Sequence, residues 1–329
     1  MSKEAVLRLL TGTSDYLSGE AMSETLGVSR AAVWKGISAL REQGYEIEAR
    51  TKRGYRLLSS PDTPNASAVG AFLQTEGFCP EVIYLDEVDS TNSYLKQLAA
   101  QGAPHGTVVI ADAQSGGRGR MGRSFVSEAG RGLFLSLLLR PEGEALQNVT
   151  TLTSFAAVCV CEAIEAVTGV EPSIKWVNDI LVDDRKLCGI LLEMSMVAEL
   201  GQVDYVVVGI GINVHYQGLD FPAELRDRVT SLAMLTEKPV SRAKLAAELI
   251  DRLARMYDSL ADPSDYVARY RGRSATVGRE ILVLRGEESC PAFAEGIAED
   301  CGLQIRYPNG GREVLYYGET SIRGTDGYV

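Results

Sequence analysis

The sequence predicts a multidomain α+β protein, and three observations predict it. Its 329 residues exceed one ordinary domain. The text changes character twice, from short helices to mixed strands and helices near residue 66, then to short strands with Gly, Pro and Asn turns near residue 273. Charge is also uneven. Residues 1–60 carry nine Lys/Arg against seven acids, a net +2 that leaves −13 for the rest of a chain of net −11. The expected units are 1–62, 66–272 and 273–329, and the first is the one able to meet DNA.

Hydrophobic content of 45% supplies a sizeable core. No run reads as long enough to span a bilayer, and residues 1–10 lack a secretion signal, so a cytoplasmic protein with no membrane partner is expected. The six cysteines (Cys79, Cys159, Cys161, Cys188, Cys290, Cys301) show no paired spacing, and His105 and His215 are the only histidines. Small core residues are expected there, not disulfides or a zinc cage.

Residues 3–10 form a short amphipathic helix, and Ser18-Gly19-Glu20 opens a second that Gly27 stops. Ser29 then caps a third, running to Gly44. Its Val33, Ile37 and Leu40 share an apolar stripe. Ala31, Lys35 and Ser38 point the other way with Arg30 and Trp34 on a flank, a face that can enter a major groove. Residues 45–58 alternate around Thr51-Lys52-Arg53-Gly54, a basic-tipped hairpin. Together these read as a winged helix-turn-helix, with Ser29, Arg30, Ala31, Trp34, Lys35, Ser38, Lys52 and Arg53 as candidate DNA contacts. Residues 59–65, rich in Ser and Pro, read as a linker.

The second unit opens with a strand at 82–85. Asp89-Ser90-Thr91-Asn92 then caps a helix through Leu98. Residues 151–168 form a buried helix closed by Gly169, and 241–257 an amphipathic one. Three apolar strands lie at 175–182, 185–193 and 205–213. The tail has short strands at 274–277, 281–284, 292–294, 302–305 and 312–315, the pattern of a small β-barrel.

The stretch Gly116-Gly117-Arg118-Gly119-Arg120-Met121-Gly122-Arg123 must be a loop, because glycines at that density leave nothing to pack. The flanks 107–111 and 132–139 read as buried strands. A basic loop strung between core strands offers backbone N–H groups and forked guanidiniums to an anion. Lys175, Asn178, Asp179 and Lys186 add cations, an oxygen ligand and an amine, the parts of nucleotide chemistry.

Taken in order, several segments resemble the family of bifunctional biotin protein ligases and biotin operon repressors, the BirA family. These are Ser29-Arg30-Ala31-Ala32-Val33-Trp34-Lys35, Asp89-Ser90-Thr91-Asn92, Gln114 through Arg123, Lys175-Trp176-Val177-Asn178-Asp179, Asp184-Arg185-Lys186-Leu187-Cys188-Gly189-Ile190, Gly209-Ile210-Gly211-Ile212-Asn213 and Gly318-Glu319-Thr320-Ser321-Ile322-Arg323. Val177 stands where the family usually has proline. The resemblance implies a central mixed-sheet domain like class II synthetases and an SH3-like C-terminal barrel. It implies that biotin and ATP, with Mg²⁺, give biotinyl-5′-AMP, and that a lysine of the biotin carboxyl carrier protein of acetyl-CoA carboxylase takes the acyl group. A homodimer holding biotinyl-AMP would bind operator DNA, and the segment from Asn213 through His215 and Gly218 would order over the adenosine. The implied catalytic residues are Lys186, Arg118 and Arg120. Biotin would be held by Ser90, Thr91, Asn92, Gln114, Gly117, Arg118, Gly119, Arg120, Trp176 and Lys186, against an apolar wall that includes Trp176. The adenylate would meet Arg118, Arg120, Arg123, Asn178, Lys186 and Asn213, and the metal Asn178 and Asp179. A lipoate ligase, or a repressor that senses ligand without transferring it, would share part of this pattern.

Overall fold

The computed structural model describes residues 3–75, 77–79, 81–197, 202–285, 288–316, 319–324 and 327–328. Gly318, which opens the last motif, lies outside them. The N-terminal unit is built from α1 (Lys3–Thr11), α2 (Gly19–Leu26), α3 (Arg30–Glu42) and a hairpin of β1 (Glu46–Arg50) with β2 (Gly54–Ser59). The Ser29 hydroxyl accepts from Ala32 N at 3.2 Å, so its oxygen caps α3. Val33, Ile37 and Leu40 are buried against Val6, Leu7 and Leu10 of α1, as the stripe predicts. Trp34 is 62% exposed, Arg30, Ala31, Lys35, Lys52 and Arg53 are exposed, and Ser38 is half-buried.

The expected linker is not free chain. Asn65 caps a short helix, α4 (Ala66–Gly70), whose Ala68 and Val69 join the same core as α1. Arg8 Nη2 donates to Gly70 O at 2.8 Å. Asp62 reaches Arg242, as described below. Polar residues that read as solvated linker are instead consumed as caps and ion pairs, which composition alone does not distinguish.

The central unit is a mixed sheet of seven strands in the order β3-β4-β5-β9-β8-β7-β6. Its strands are β3 (Val82–Val88), β4 (Val108–Gln114), β5 (Gly132–Leu139), β6 (Ser173–Lys175), β7 (Asp179–Val182), β8 (Arg185–Val197) and β9 (Gln202–Asn213). β3 and β4 run parallel and the other neighbours antiparallel. The expected strand 175–182 is therefore two strands around a turn at 176–178, with a cis peptide between Trp176 and Val177.

Helices cover both faces, which is why β5 is buried along its whole length. α5 (Thr91–Ala100) packs Leu95 and Ala99 against Val109, Leu138 and Val207. The alternate residues Val108, Ile110, Leu135 and Leu137 share the other layer with α6 (Leu152–Thr168), α8 (Arg242–Asp258) and α9 (Ser264–Gly272). A short helix, α7 (Leu232–Leu235), lies between β9 and α8 in sequence. Each fully buried Leu or Phe of this layer contributes about 1.5–3 kcal/mol. Residues 148–168 correct one expectation. They are long and apolar enough by composition to cross a membrane, but most of that stretch is buried in the core.

The tail forms β10 (Glu280–Arg285), β11 (Glu288–Ile297), β12 (Leu303–Arg306), β13 (Arg312–Leu315), β14 (Glu319–Gly324) and β15 (Gly327–Tyr328), in the order β13-β12-β11-β10-β14-β15. Among the described residues no pairing closes this order into a barrel. Residues 274–277 are no strand: Ser274 bridges Ile174, and Thr276 Oγ1 accepts from Trp176 N at 2.9 Å. Four cysteines are buried, as core residues should be, but Cys79 is half-buried and Cys290 exposed.

Candidate active site

A cavity of about 290 Å³ opens on the central sheet and is lined by all of the expected ligand-binding positions except Gly117. Its polar lining begins at the start of α5. Ser90 occupies the N-cap position without a capping bond from its side chain. The Gln114 side chain does that work from the end of β4, with Oε1 accepting from Thr91 N at 2.9 Å and from Thr91 Oγ1 at 3.2 Å. Gln114 Nε2 donates to Ser127 Oγ at 3.0 Å. Ser136 of β5 lies 2.7 Å from Thr91 Oγ1 and donates to Asn92 Oδ1 at 2.6 Å.

Asn92 Nδ2 donates to Leu191 O at 3.2 Å and to Glu193 Oε2 at 2.9 Å. Its amide is thus held at both ends by the protein, as a fixed part of the wall. Glu193 also pairs with Lys96 at 2.6 Å. Burial, the largest influence on its carboxyl, pushes upward, but hydrogen bonds from Lys96 and Asn92 prevail and hold it below the usual range. Ser127, Ser136 and Glu193 were not singled out by sequence. Serines inside apolar strands carry no local signal of a shared network.

The arginine-glycine loop is folded, not loose. Gly116 N donates to Asp89 O at 2.8 Å, Phe125 N to Gly117 O at 2.9 Å, and Gly119 N to Arg123 O at 2.7 Å, with a 3₁₀ turn over Arg120–Gly122. A Cβ at Gly117 would lie 2.5 Å from Phe125 O and 2.6 Å from Ser127 Oγ, so the missing side chain permits this closure. Gly117 serves the loop and not the cavity. Arg118, Arg120 and Arg123 line the cavity. Arg120 Nη1 donates to Asn178 Oδ1 at 3.1 Å, while Asn178 Nδ2 donates to Ile190 O at 2.8 Å.

Lys186 Nζ stands 2.6 Å from Asp179 Oδ1, an ion contact without hydrogen-bond angles. Both candidate metal ligands therefore face cations. Among the described residues no group of three His, Cys, Asp or Glu is placed to hold a metal. Asn213 lines the cavity, and its Nδ2 donates to Thr230 O at 3.0 Å.

Trp176 is part of the apolar lining, together with two phenylalanines. Trp176 touches the cavity, but its indole Nε1 donates to Cys301 O at 3.0 Å and the ring is buried at the junction with the C-terminal sheet. Phe125 and Phe134, edge to face at 6.3 Å, line the cavity beside it. The Phe125 ring lies over Gly211, where a Cβ would come within 2.8 Å of it.

The segment after β9 is packed against the loop that follows the arginines. Tyr216 is fully buried and stacks on Phe221 at 4.7 Å; its hydroxyl accepts from Glu128 N at 2.9 Å and donates to Val126 O at 3.2 Å. Two loops bounding the cavity are tied together there, and burial pushes the Tyr216 phenol up to about 12. His215 turns away to Asp62, 2.8 Å from its Nε2.

This architecture defines a ligase-type mixed-sheet domain behind a helix-turn-helix module. The model of the "Biotin/lipoate A/B protein ligase family" matches residues 84–213, and a helix-turn-helix domain model matches residues 3–56. The chain is 44% identical over 237 residues to the "Bifunctional ligase/repressor BirA" of Bacillus spizizenii, covering 72% of each chain, and 28% identical over 321 residues to that of Escherichia coli, covering 96% of each. Among solved structures, a biotin protein ligase from Aquifex aeolicus in complex with biotin and ATP aligns with a TM-score of 0.64 at 31% identity, over 74% of this chain and 99% of that one. The chain belongs to the biotin/lipoate protein ligase family, in its form that carries a helix-turn-helix domain.

Proposed function

We propose that this chain is a biotin–[acetyl-CoA-carboxylase] ligase that makes biotinyl-5′-AMP from biotin and ATP, transfers biotin to a lysine of the carrier protein, and represses transcription as a DNA-bound dimer. The observation that carries the reading is one cavity where the Thr91–Gln114–Ser136–Asn92 network meets Arg118, Arg120 and Lys186. A ureido ring needs donors and acceptors at fixed angles, and that network holds hydroxyls and amides at fixed positions, which the dithiolane of lipoate has no polar groups to use.

In the first step the biotin carboxylate attacks the α-phosphorus and pyrophosphate leaves. Two anions must meet, so permanent cations are required. On this reading Lys186 leaves Asp179 to bridge carboxylate and phosphate, while Arg118 and Arg120 supply permanent positive charge from the loop, with Arg123 and Asn213 along the nucleotide. In the second step the carrier lysine attacks the acyl carbonyl and AMP leaves. Magnesium fits as an ion kept on the phosphates, where it would neutralise charge; Asn178 and Asp179 offer it one amide and one carboxylate oxygen, too few for a cage of their own.

The domain limits 1–62, 66–272 and 273–329, the SH3-like assignment of the tail, a cytoplasmic location and the homodimer belong to this same reading. A +2 domain on a −11 chain has little electrostatic affinity for DNA, and pairing two recognition helices on a two-fold operator answers that. Bound biotinyl-AMP would favour the dimer only through its preference for ordered loops.

Incubation with biotin, ATP and carrier domain, followed by intact mass, tests the ligase: the carrier gains one biotinyl group, and an unmodified carrier refutes it. Sedimentation of the protein alone, with biotin and with biotinyl-AMP tests the switch. A protein equally dimeric in all three conditions leaves a ligase without one.

A further inference from the structure

The wing carries a cationic cluster with an anion already inside it. Register pairs Glu48 of β1 with Arg56 of β2, and Arg50 with Gly54. Side chains of residues 48, 50 and 56 therefore share one face of the hairpin. Tyr16 joins that face because Leu17 pairs with Tyr55 as a third strand, with Leu17 N to Tyr55 O at 2.9 Å and the return bond at 2.8 Å.

Three guanidiniums stand over the Tyr16 ring, Arg50 at 5.2 Å, Arg53 at 4.7 Å and Arg56 at 4.8 Å from its centroid. Three like charges on one ring repel, and a single carboxylate holds two of them there. Glu48 Oε1 accepts from Arg50 Nε at 2.8 Å, and Oε2 from Arg56 Nη2 at 3.0 Å and from the Tyr16 hydroxyl. Two positive charges are left over. Arg56 Nε, shielded from solvent, has no hydrogen-bond partner. Glu48 remains 26% exposed, so it has room to swing out.

We propose that Arg50, Arg53, Arg56 and Tyr16 form a cradle for a backbone phosphate of duplex DNA, and that the Glu48 carboxylate fills it until a duplex displaces it. The geometry suits the exchange. A backbone phosphodiester presents the same pair of oxygens and the same single charge to forked guanidiniums as a carboxylate, and the neighbouring phosphates of a duplex supply the further negative charge that the surplus calls for. The consequence is a wing that is preorganised but partly neutralised. Generic DNA is held weakly, and base readout by α3 decides where the protein stays. This rests on the DNA-binding reading of the N-terminal unit.

The test is equilibrium binding of the full chain to a random-sequence duplex across a salt series, with melting temperature as the control for folding. Each phosphate contact sets a slope of about −0.9 in log K against log salt. Glu48→Gln, which keeps the shape and removes the competing charge, should bind generic duplex more tightly and steepen the slope by about 1. Arg53→Gln, which breaks no ion pair, and Arg56→Ala should each make it shallower by about 1. Slopes equal to the parent's in all three variants, with Lys35→Ala still weakening binding, overturn the cradle and leave the DNA-binding reading intact. A parent chain that binds no duplex at any salt overturns both.

Discussion

Lys186 Nζ and Asp179 Oδ1 lie 2.6 Å apart across the β7–β8 pair, where Lys186 sits opposite Leu181. The lysine strand is fixed further by Lys186 N to Arg228 O at 2.8 Å and Thr230 N to Lys186 O at 2.9 Å. The backbone is thus rigid while the ammonium has an anion to leave and another to meet. Lys186→Ala should lower the single-turnover rate of adenylate formation by about 10²–10³, as for loss of one preorganised charge donor, with a much smaller change in biotin affinity. An unchanged rate removes Lys186 from the chemical step.

Arg120 clasps the glycine loop to the 176–178 turn through Asn178. A hydrogen bond involving a charged group contributes about 1.5–3 kcal/mol, so Arg120→Gly should release biotinyl-AMP roughly 10- to 100-fold faster while still forming it. Dissociation followed by dilution into excess carrier-free buffer measures this. Retention as durable as the parent's would show that the loop is not the gate.

Gly209 meets Asn92 so closely that an added Cβ would overlap the Asn92 amide. That amide is held by Ser136, Leu191 and Glu193 and cannot retreat. Gly209→Ala should cost about 1–3 kcal/mol in thermal unfolding and weaken biotin binding in calorimetry, because the polar network is pushed off position. Wild-type biotin affinity in this variant would detach the network from the substrate.

Asp62 ties the N-terminal unit to the central one. Its carboxylate accepts from Arg242 Nε at 2.7 Å, from Arg242 N at 2.8 Å and bonds His215 Nε2 at 2.8 Å; the Arg242 side chain is 5% exposed and also pairs with Asp112 at 2.7 Å. Burial, the largest influence on Asp62, pushes its carboxyl upward, but the bonds from His215 and Arg242 outweigh it and leave it below the ordinary value. A depressed carboxyl contributes stability above its unfolded value near 4, lost as pH falls through the lower folded value. Asp62→Asn should therefore cost about 1–3 kcal/mol at neutral pH, less than a fully buried pair because the side chain is 36% exposed. The difference from the parent should shrink below about pH 4. A pH-independent gap would assign the effect to packing.

Much of the architecture was legible in order along the chain. The Val33, Ile37 and Leu40 stripe, the continuous apolar run of β5 and the Ser29 cap are local patterns with one low-energy solution each. The motifs likewise identified which residues would line one cavity, because Lys186, Asn178 and the arginine loop are chemically unusual where they stand.

What the fold alone decided is how those residues are used. Trp176 reads as part of a ligand wall, but that its N–H finds Cys301 O, 125 residues away, and that Phe125 joins the lining because Gly211 leaves space beneath its ring, local sequence does not say. Asp62 reads as linker and becomes the partner of a buried arginine 180 residues later. Ser136 and Glu193 join the site solely through strand register. Periodicity and caps depend on neighbours within a turn or two, and sequence records them directly. A hydrogen-bond partner or a shared cavity depends on which distant backbones approach, and that is set when the seven strands find their order.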